Sequence, residues 1–368
     1  MSKWGARRRK LALLILLAGV GYAAAVYFDK KNQKRRWRYR KRTPIPYQYR
    51  RHEFNLDTWP DERIRRYLWF SREEIQTLVP LLHLDDVEYL CRVKPTPECA
   101  FSVVCYRLSS PTRLVDCIDA FGRSEAWISI VFNAVTTFLD TRFSALLRWH
   151  PQLNNYKRLQ AFGQAVLQDG GQGLGLIWGF IDGSFVGFCQ SIDPEHQRRM
   201  YSGYYKGHGM KWQAIVTPDG LVSSLCGPWA GPVNDWTMLQ ESGILEDFRR
   251  VYGEKERLYV YGDPAYIGAF GIMGPYQHVG GRHALPEDEY QFNVALSSVR
   301  IAVEHAFGHI FKQWSFTGFE RGMQEGLSPV AAYFSTAVLF TNCLKCFRGS
   351  QTSERFGIEL PSIEEYLQ

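Results

Sequence analysis

The spacing of apolar and polar positions divides the chain near residue 175. Between residues 57 and 147, apolar residues recur at helical intervals, which predicts helices over 63–70, 72–82, 98–106, 111–120 and 125–139. In the last of these, Ile128, Val131, Val135, Phe138 and Leu139 form one stripe that must be buried. Ser124 stands where an N-cap belongs. Residues 111–120, a turn at Gly122 and this helix have a helix-turn-helix outline. Its outer face is read as Glu125, Ser129, Asn133 and Thr136. No Lys or Arg there meets phosphates or guanine edges, so a structural hairpin is favoured over a DNA-reading one.

Past residue 175 the runs shorten. Residues 176–181 predict a buried strand that ends in a turn at Asp182-Gly183. Runs 212–216 and 221–226 flank Thr217-Pro218-Asp219-Gly220, a hairpin signal. Asn234 is placed to cap a helix over 235–249, and 257–261 predicts a strand ending at Gly262-Asp263. A long helix over 295–314 follows, with Val299, Val303, Ala306, Phe307 and Ile310 on one stripe. The expected organisation is a basic tail (1–55), a helical domain (56–172), an α/β domain (173–348) and a C-terminal tail (349–368).

Composition narrows the class. At 45% hydrophobic and 15% aromatic residues, disordered and collagen-like chains are excluded. The net charge of +7 is unevenly spread: residues 1–52 carry +15, which leaves −8 on the other 316. An acidic body does not bind nucleic acid by bulk charge. Within the tail, residues 11–28 are uncharged and long enough to span a bilayer core. That segment fits a signal peptide or membrane anchor, and the flanking basic run fits a nuclear-import or phosphate-binding arm equally well. The eight cysteines lie scattered in apolar stretches, as reduced core thiols do, and the lone Cys343–Cys346 pair lacks the partners zinc requires.

Four acids fall at element ends or on an apolar helix: Asp182, Asp235, Asp263 and Glu304. Each has an ordinary explanation. Asp182 and Asp263 suit turns, Asp235 suits a helix first turn, and Glu304 can pair with Arg300 one helical turn earlier. Taken together they suit a cation site, because carboxylates that converge at buried strand ends repel unless a cation neutralises them. Hard oxygen donors select Mg²⁺ or Mn²⁺, and a pair of such ions supports phosphodiester cleavage. Lys206, His208 and Lys211, just ahead of the hairpin, are candidates for contact with a scissile phosphate or for a solvated loop.

The motifs Phe180-Ile181-Asp182-Gly183-Ser184, Tyr204-Tyr205-Lys206-Gly207-His208, Asn234-Asp235-Trp236, Gly262-Asp263-Pro264-Ala265-Tyr266 and Arg300-Ile301-Ala302-Val303-Glu304-His305 occur in this order. Over roughly residues 178–311 the chain resembles the endonuclease domain of PIF/Harbinger-type DDE transposases and the host proteins derived from them. The resemblance implies an RNase H-like fold, a mixed sheet flanked by helices. It also implies a DNA-cleaving triad of Asp182, Asp263 and Glu304 on divalent metal, with Asp235 as an accessory acid. It further implies a preceding helical domain and a separate Myb-like partner that reaches DNA. Asn234 and Ala265 stand where the family usually has His and Gly. The competing reading is a domesticated, catalytically weak module that binds DNA or protein.

Localisation follows from the tail. The nuclear reading predicts that a tagged chain lacking residues 1–42 loses its nuclear signal. Reticular signal lost on the same truncation marks residues 11–28 as an anchor instead.

Overall fold

The computed structural model describes residues 54–169, 176–191, 193–253, 258–277 and 285–368, with the side chains of 298–305 outside the described set. The basic tail and its apolar segment 11–28 therefore lie outside the described residues. All described residues fall within one compact unit, Gln48–Gln368.

Helices come first: α1 (Asp61–Leu68), α2 (Arg72–Leu81), α3 (Pro97–Ser109), α4 (Asp116–Phe121), α5 (Glu125–Arg148) and α6 (Tyr156–Gln168). Their starts are written in side chains. Ser71 and Glu74 form a capping box on α2, and Thr96, Ser124 and Asn155 each accept a backbone N–H at the start of α3, α5 and α6. Helix α5 runs well past the expected residue 139. Phe143 and Leu147 extend its buried stripe, and no breaker intervenes before Pro151. Helix α4 begins later than expected, where Asp116 bonds back to the Arg113 side chain and N–H.

The expected outer face of α5 holds at Glu125, which is exposed, and is corrected further along the helix. Thr136 is fully buried, with its hydroxyl donating to the Phe132 carbonyl, and Asn133 accepts a hydrogen bond from Tyr333. Tyr333 belongs to a later helix, α11 (Val330–Arg348), which covers this side of α5. Between these helices come β1 (Leu176–Gly187), α7 (Pro194–Met200), β2 (Tyr201–Ser202), β3 (Gly207–Val216) and β4 (Val222–Ala230). Then follow α8 (Asp235–Glu241), α9 (Ile244–Tyr252), β5 (Leu258–Tyr261), β6 (Ile272–Met273) and α10 (Glu287–Gln313). Helices α12 (Gln351–Phe356) and α13 (Ile363–Leu367) close the chain.

The six strands form one mixed sheet in the order β2-β3-β1-β5-β6, with β4 also paired to β3. The hairpin β3–β4 forms at Thr217–Gly220, where Asp219 accepts bonds from the Thr217 hydroxyl and the Leu221 N–H and Gly220 takes φ +85°. Two expectations fail here. Strand β1 does not stop at Asp182 but continues to Gly187, because β3 supplies backbone partners from Phe180↔Val216 to Gly187↔Gly209. The single helix expected over 235–249 is two, α8 and α9, broken at Gly243 with φ +71°.

Both sheet faces are covered. One packs Phe180, Trp212 and Val216 against the helical half, including Val131 and the α11 residues Val338 and Phe340. The other packs Trp178 and Val260 against Phe162, Leu239 and Phe248. All eight cysteines are free thiols, and five are fully or nearly fully buried.

On α11, the half-buried Lys345 donates to the Gly220 carbonyl, and desolvation pulls its pKa from 10.5 down to about 8. Its protonated form therefore costs stability below pH 8, and the cost fades as pH rises toward the unfolded value. The stability of wild type relative to Lys345→Met is expected to rise between pH 8 and 10 in urea titrations. A constant difference across that range contradicts the assignment.

Candidate active site

Strand pairing decides where the first two acids lie. Strands β1 and β5 are parallel, with Phe180 opposite Tyr261. Asp182 and Asp263 each follow two residues after that pair, and side chains alternate faces with a period of two. Alternation along β1 directs Asp182 to the face on which the Phe180 and Tyr261 rings lie 6.4 Å apart, and Asp263 stands just past the end of β5 at the same edge of the strand pair. Asp182 sits inside the sheet, opposite Ala214 of β3, which rules out its reading as a simple turn residue. Asp263 does cap a short 3₁₀ helix, Pro264–Tyr266.

Backbone N–H groups fix both carboxylates. Asp182 Oδ1 accepts from Gly183 N at 2.9 Å, and Asp263 Oδ1 accepts from Ala265 N at 2.9 Å. Gly262 explains how the two strand ends come so close. A Cβ there would lie 2.7 Å from Ile181 Cγ2 and 2.8 Å from Tyr266 Cδ2, so only glycine admits this approach. Helix α10 covers the same face, with Phe292 and Leu296 in the cluster that holds Phe180 and Tyr261. Glu304 lies on α10, and its side chain, like that of Arg300, is outside the described residues.

Asp235 is placed differently. It stands in the first turn of α8, and its Oδ1 lies 3.3 Å from Lys211 Nζ on β3. A Cβ on Gly183 would meet the same Oδ1 at 3.1 Å. Alternation along β1 directs Gly183 and Asp182 to opposite faces, so Asp235 approaches the strand from the other side. The Lys211 and Asp235 side chains are 14% and 27% exposed, and a pair of that kind contributes about 1 kcal/mol or less. Among the described residues, no group of three His, Cys, Asp or Glu side chains could hold a metal ion.

One buried hydroxyl still senses all three aspartates. Tyr266, within the Asp263 motif, is fully buried and receives a bond from Gln213 Nε2 at 3.3 Å. Burial first, then Asp235, with Asp182 and Asp263 adding, pushes its pKa far up, so it stays protonated. Tyr205 is raised by burial and then by Asp235, Tyr204 and Asp182. The sequence analysis gives neither tyrosine a role; Tyr266 lies inside the Asp263 motif and Tyr205 inside the basic motif at 204–208.

The three basic candidates separate. Lys211 is engaged with Asp235, while Lys206 is exposed on the β2–β3 turn with φ +52°. The ring of His208 packs against Tyr201, 5.2 Å between centroids. The two departures from the family pattern are locally coherent. Asn234 caps α8 by accepting from Thr237 N at 2.8 Å, and Ala265 supplies the N–H that holds Asp263.

Residues 181–342 match the family described as DDE superfamily endonuclease. The DDE endonuclease match begins beside Asp182, takes in Asp235, Asp263 and Glu304, and covers less than half of the chain. No curated protein and no solved structure gives a match.

Two glycines test this packing against each other. Gly262→Ala is expected to cost about 1–3 kcal/mol of unfolding free energy by overpacking. Gly308→Ala on α10, where a Cβ meets nothing within 4 Å, is expected to add about 0.5–1 kcal/mol. Equal effects in urea unfolding contradict the close approach of β5 to β1.

Proposed function

We propose that this chain is a DNA endonuclease of transposase descent with an RNase H-like core. In this reading Asp182, Asp263 and Glu304 hold divalent Mg²⁺ or Mn²⁺, and Asp235 is an accessory acid. The observation that carries it is the placement of Asp182 on β1 and Asp263 just past the end of the adjacent parallel strand β5, each two residues beyond the Phe180↔Tyr261 pair, inside the region that matches the endonuclease family. The donor set fits the cation: the ligands would be carboxylate oxygens, the hard donors that Mg²⁺ and Mn²⁺ take. When bound, such a cation supplies Lewis-acid polarisation of a phosphodiester.

The protein's own groups do the positioning. The Gly183 and Ala265 N–H groups orient the two carboxylates before substrate arrives. Asp235 holds the Lys211 ammonium on the adjoining surface, where it meets a phosphate. Recognition of a DNA sequence is assigned in this reading to a separate partner of the Myb-like kind, as the family resemblance implies. The +15 tail supplies nuclear address and sequence-independent phosphate affinity.

Purified protein is expected to nick supercoiled plasmid only with Mg²⁺ or Mn²⁺. Asp182→Asn is expected to lower the rate at least about 100-fold, the scale on which a single stabilising group acts. Nicking that persists in Asp182→Asn removes the carboxylate assignment.

A further inference from the structure

Exposed aromatic residues gather beside Asp235. Tyr204 is 87% exposed and Trp236 42% exposed, and both line an open groove of 520 Å³. Lys211, Asp235 and Ala265 line it too, so the groove adjoins the Lys211–Asp235 pair and the residue whose N–H holds Asp263. No aliphatic side chain larger than proline or alanine lines it. A groove for a leucine or isoleucine side chain would offer aliphatic walls. This one offers flat π faces and charge.

The aromatic tier is anchored in the sheet. Phe185, three residues past Asp182 on β1, lies against Gly209, where a Cβ would be 2.4 Å from its ring. Tyr205 stacks on Phe185 at 4.2 Å with an interplanar angle of 9°. Tyr204 meets Tyr205 edge-on at 4.9 Å, and Lys211 Nζ lies 5.8 Å from the Tyr205 ring centre. Tyr204 is thus the outermost member of a stacked series that starts inside the protein. Lys206, next in the chain, adds an exposed charge to the same turn.

We infer that Tyr204 and Trp236 are a stacking platform for an unpaired nucleobase of the substrate strand, with Lys206 and Lys211 facing its phosphates. The inference rests on the nuclease reading above and specifies the form of its substrate. Bases inside a duplex already have both faces covered by neighbours, so such a platform selects a single-stranded or frayed segment of the substrate. Every base has a π face, so the preference is for strandedness and not for sequence.

The test uses the full chain in EDTA, so that binding is read without cleavage. The probes are a single-stranded oligonucleotide of about 12 nucleotides bearing 2-aminopurine, and its blunt duplex. Tyr204→Ala and Trp236→Ala are each expected to weaken single-strand binding about 10-fold and to reduce 2-aminopurine quenching. Duplex affinity should stay within about twofold, and Tyr204→Phe and Trp236→Phe should retain single-strand binding, because a phenyl ring still stacks. Unchanged binding in the alanine variants, equal loss on both probes, or loss that the Phe variants do not rescue overturns the platform. The first of these outcomes is also the one that a protein-docking surface would give. The nicking assay is separate. Loss of metal-dependent nicking with stacking intact removes only the nuclease reading, whereas normal nicking with no stacking removes only this inference.

Discussion

The pairing of β1 on both edges is the constraint on which everything else depends. Strand β3 runs antiparallel along residues 180–187 and β5 parallel along residues 176–180, so the two neighbours together fix the register of β1 and meet at Phe180. That register sets Phe180 against Tyr261, so Asp182 and Asp263, each two residues further on, leave the strand pair at the same end. It also positions Gly183 to receive Asp235 from the opposite side, and Phe185 to found the aromatic series. A slip of one residue would send every one of these side chains to the wrong face.

The site is built from elements far apart in sequence, yet few parts of it are mobile by construction. Asp182 is held within a sheet, Asp263 by the first N–H groups of a 3₁₀ turn, and Lys211 within β3. Tyr266, buried beneath the aspartates, links their surroundings through a hydroxyl that does not ionise in the neutral range. The acids therefore lie near a hydroxyl that adds no negative charge.

Much of this was legible in the chain. Stripes of apolar residues marked α2, α5 and α10, the Pro-Asp-Gly turn marked the hairpin, and the acids stood out as charges at the ends of apolar runs. What failed did so for tertiary reasons. Asp182-Gly183 looks like a turn locally, but β3 offers it a ladder of partners, and backbone pairing overrides a turn preference. Thr136 and Asn133 look like surface residues on a helical wheel, yet α11, some 200 residues later, lies over them. Gly243 was read through as helix because a single glycine inside a periodic stretch gives no warning that it will adopt positive φ. The Lys211–Asp235 pair joins residues on separate elements, and no spacing rule reaches that far.

Helix α11 has a consequence for the order of events during synthesis. It is long and apolar enough to cross a membrane, and most of it is buried inside the protein. It packs against α5 and β4, so those surfaces wait uncovered while the intervening chain is made. The nascent protein must therefore hold an unfinished core, and when α11 emerges it presents the same apolar surface that targeting and chaperone factors recognise. Its packing against α5 and β4 closes that part of the core, and α13 then packs on α11 with Ile363 and Tyr366.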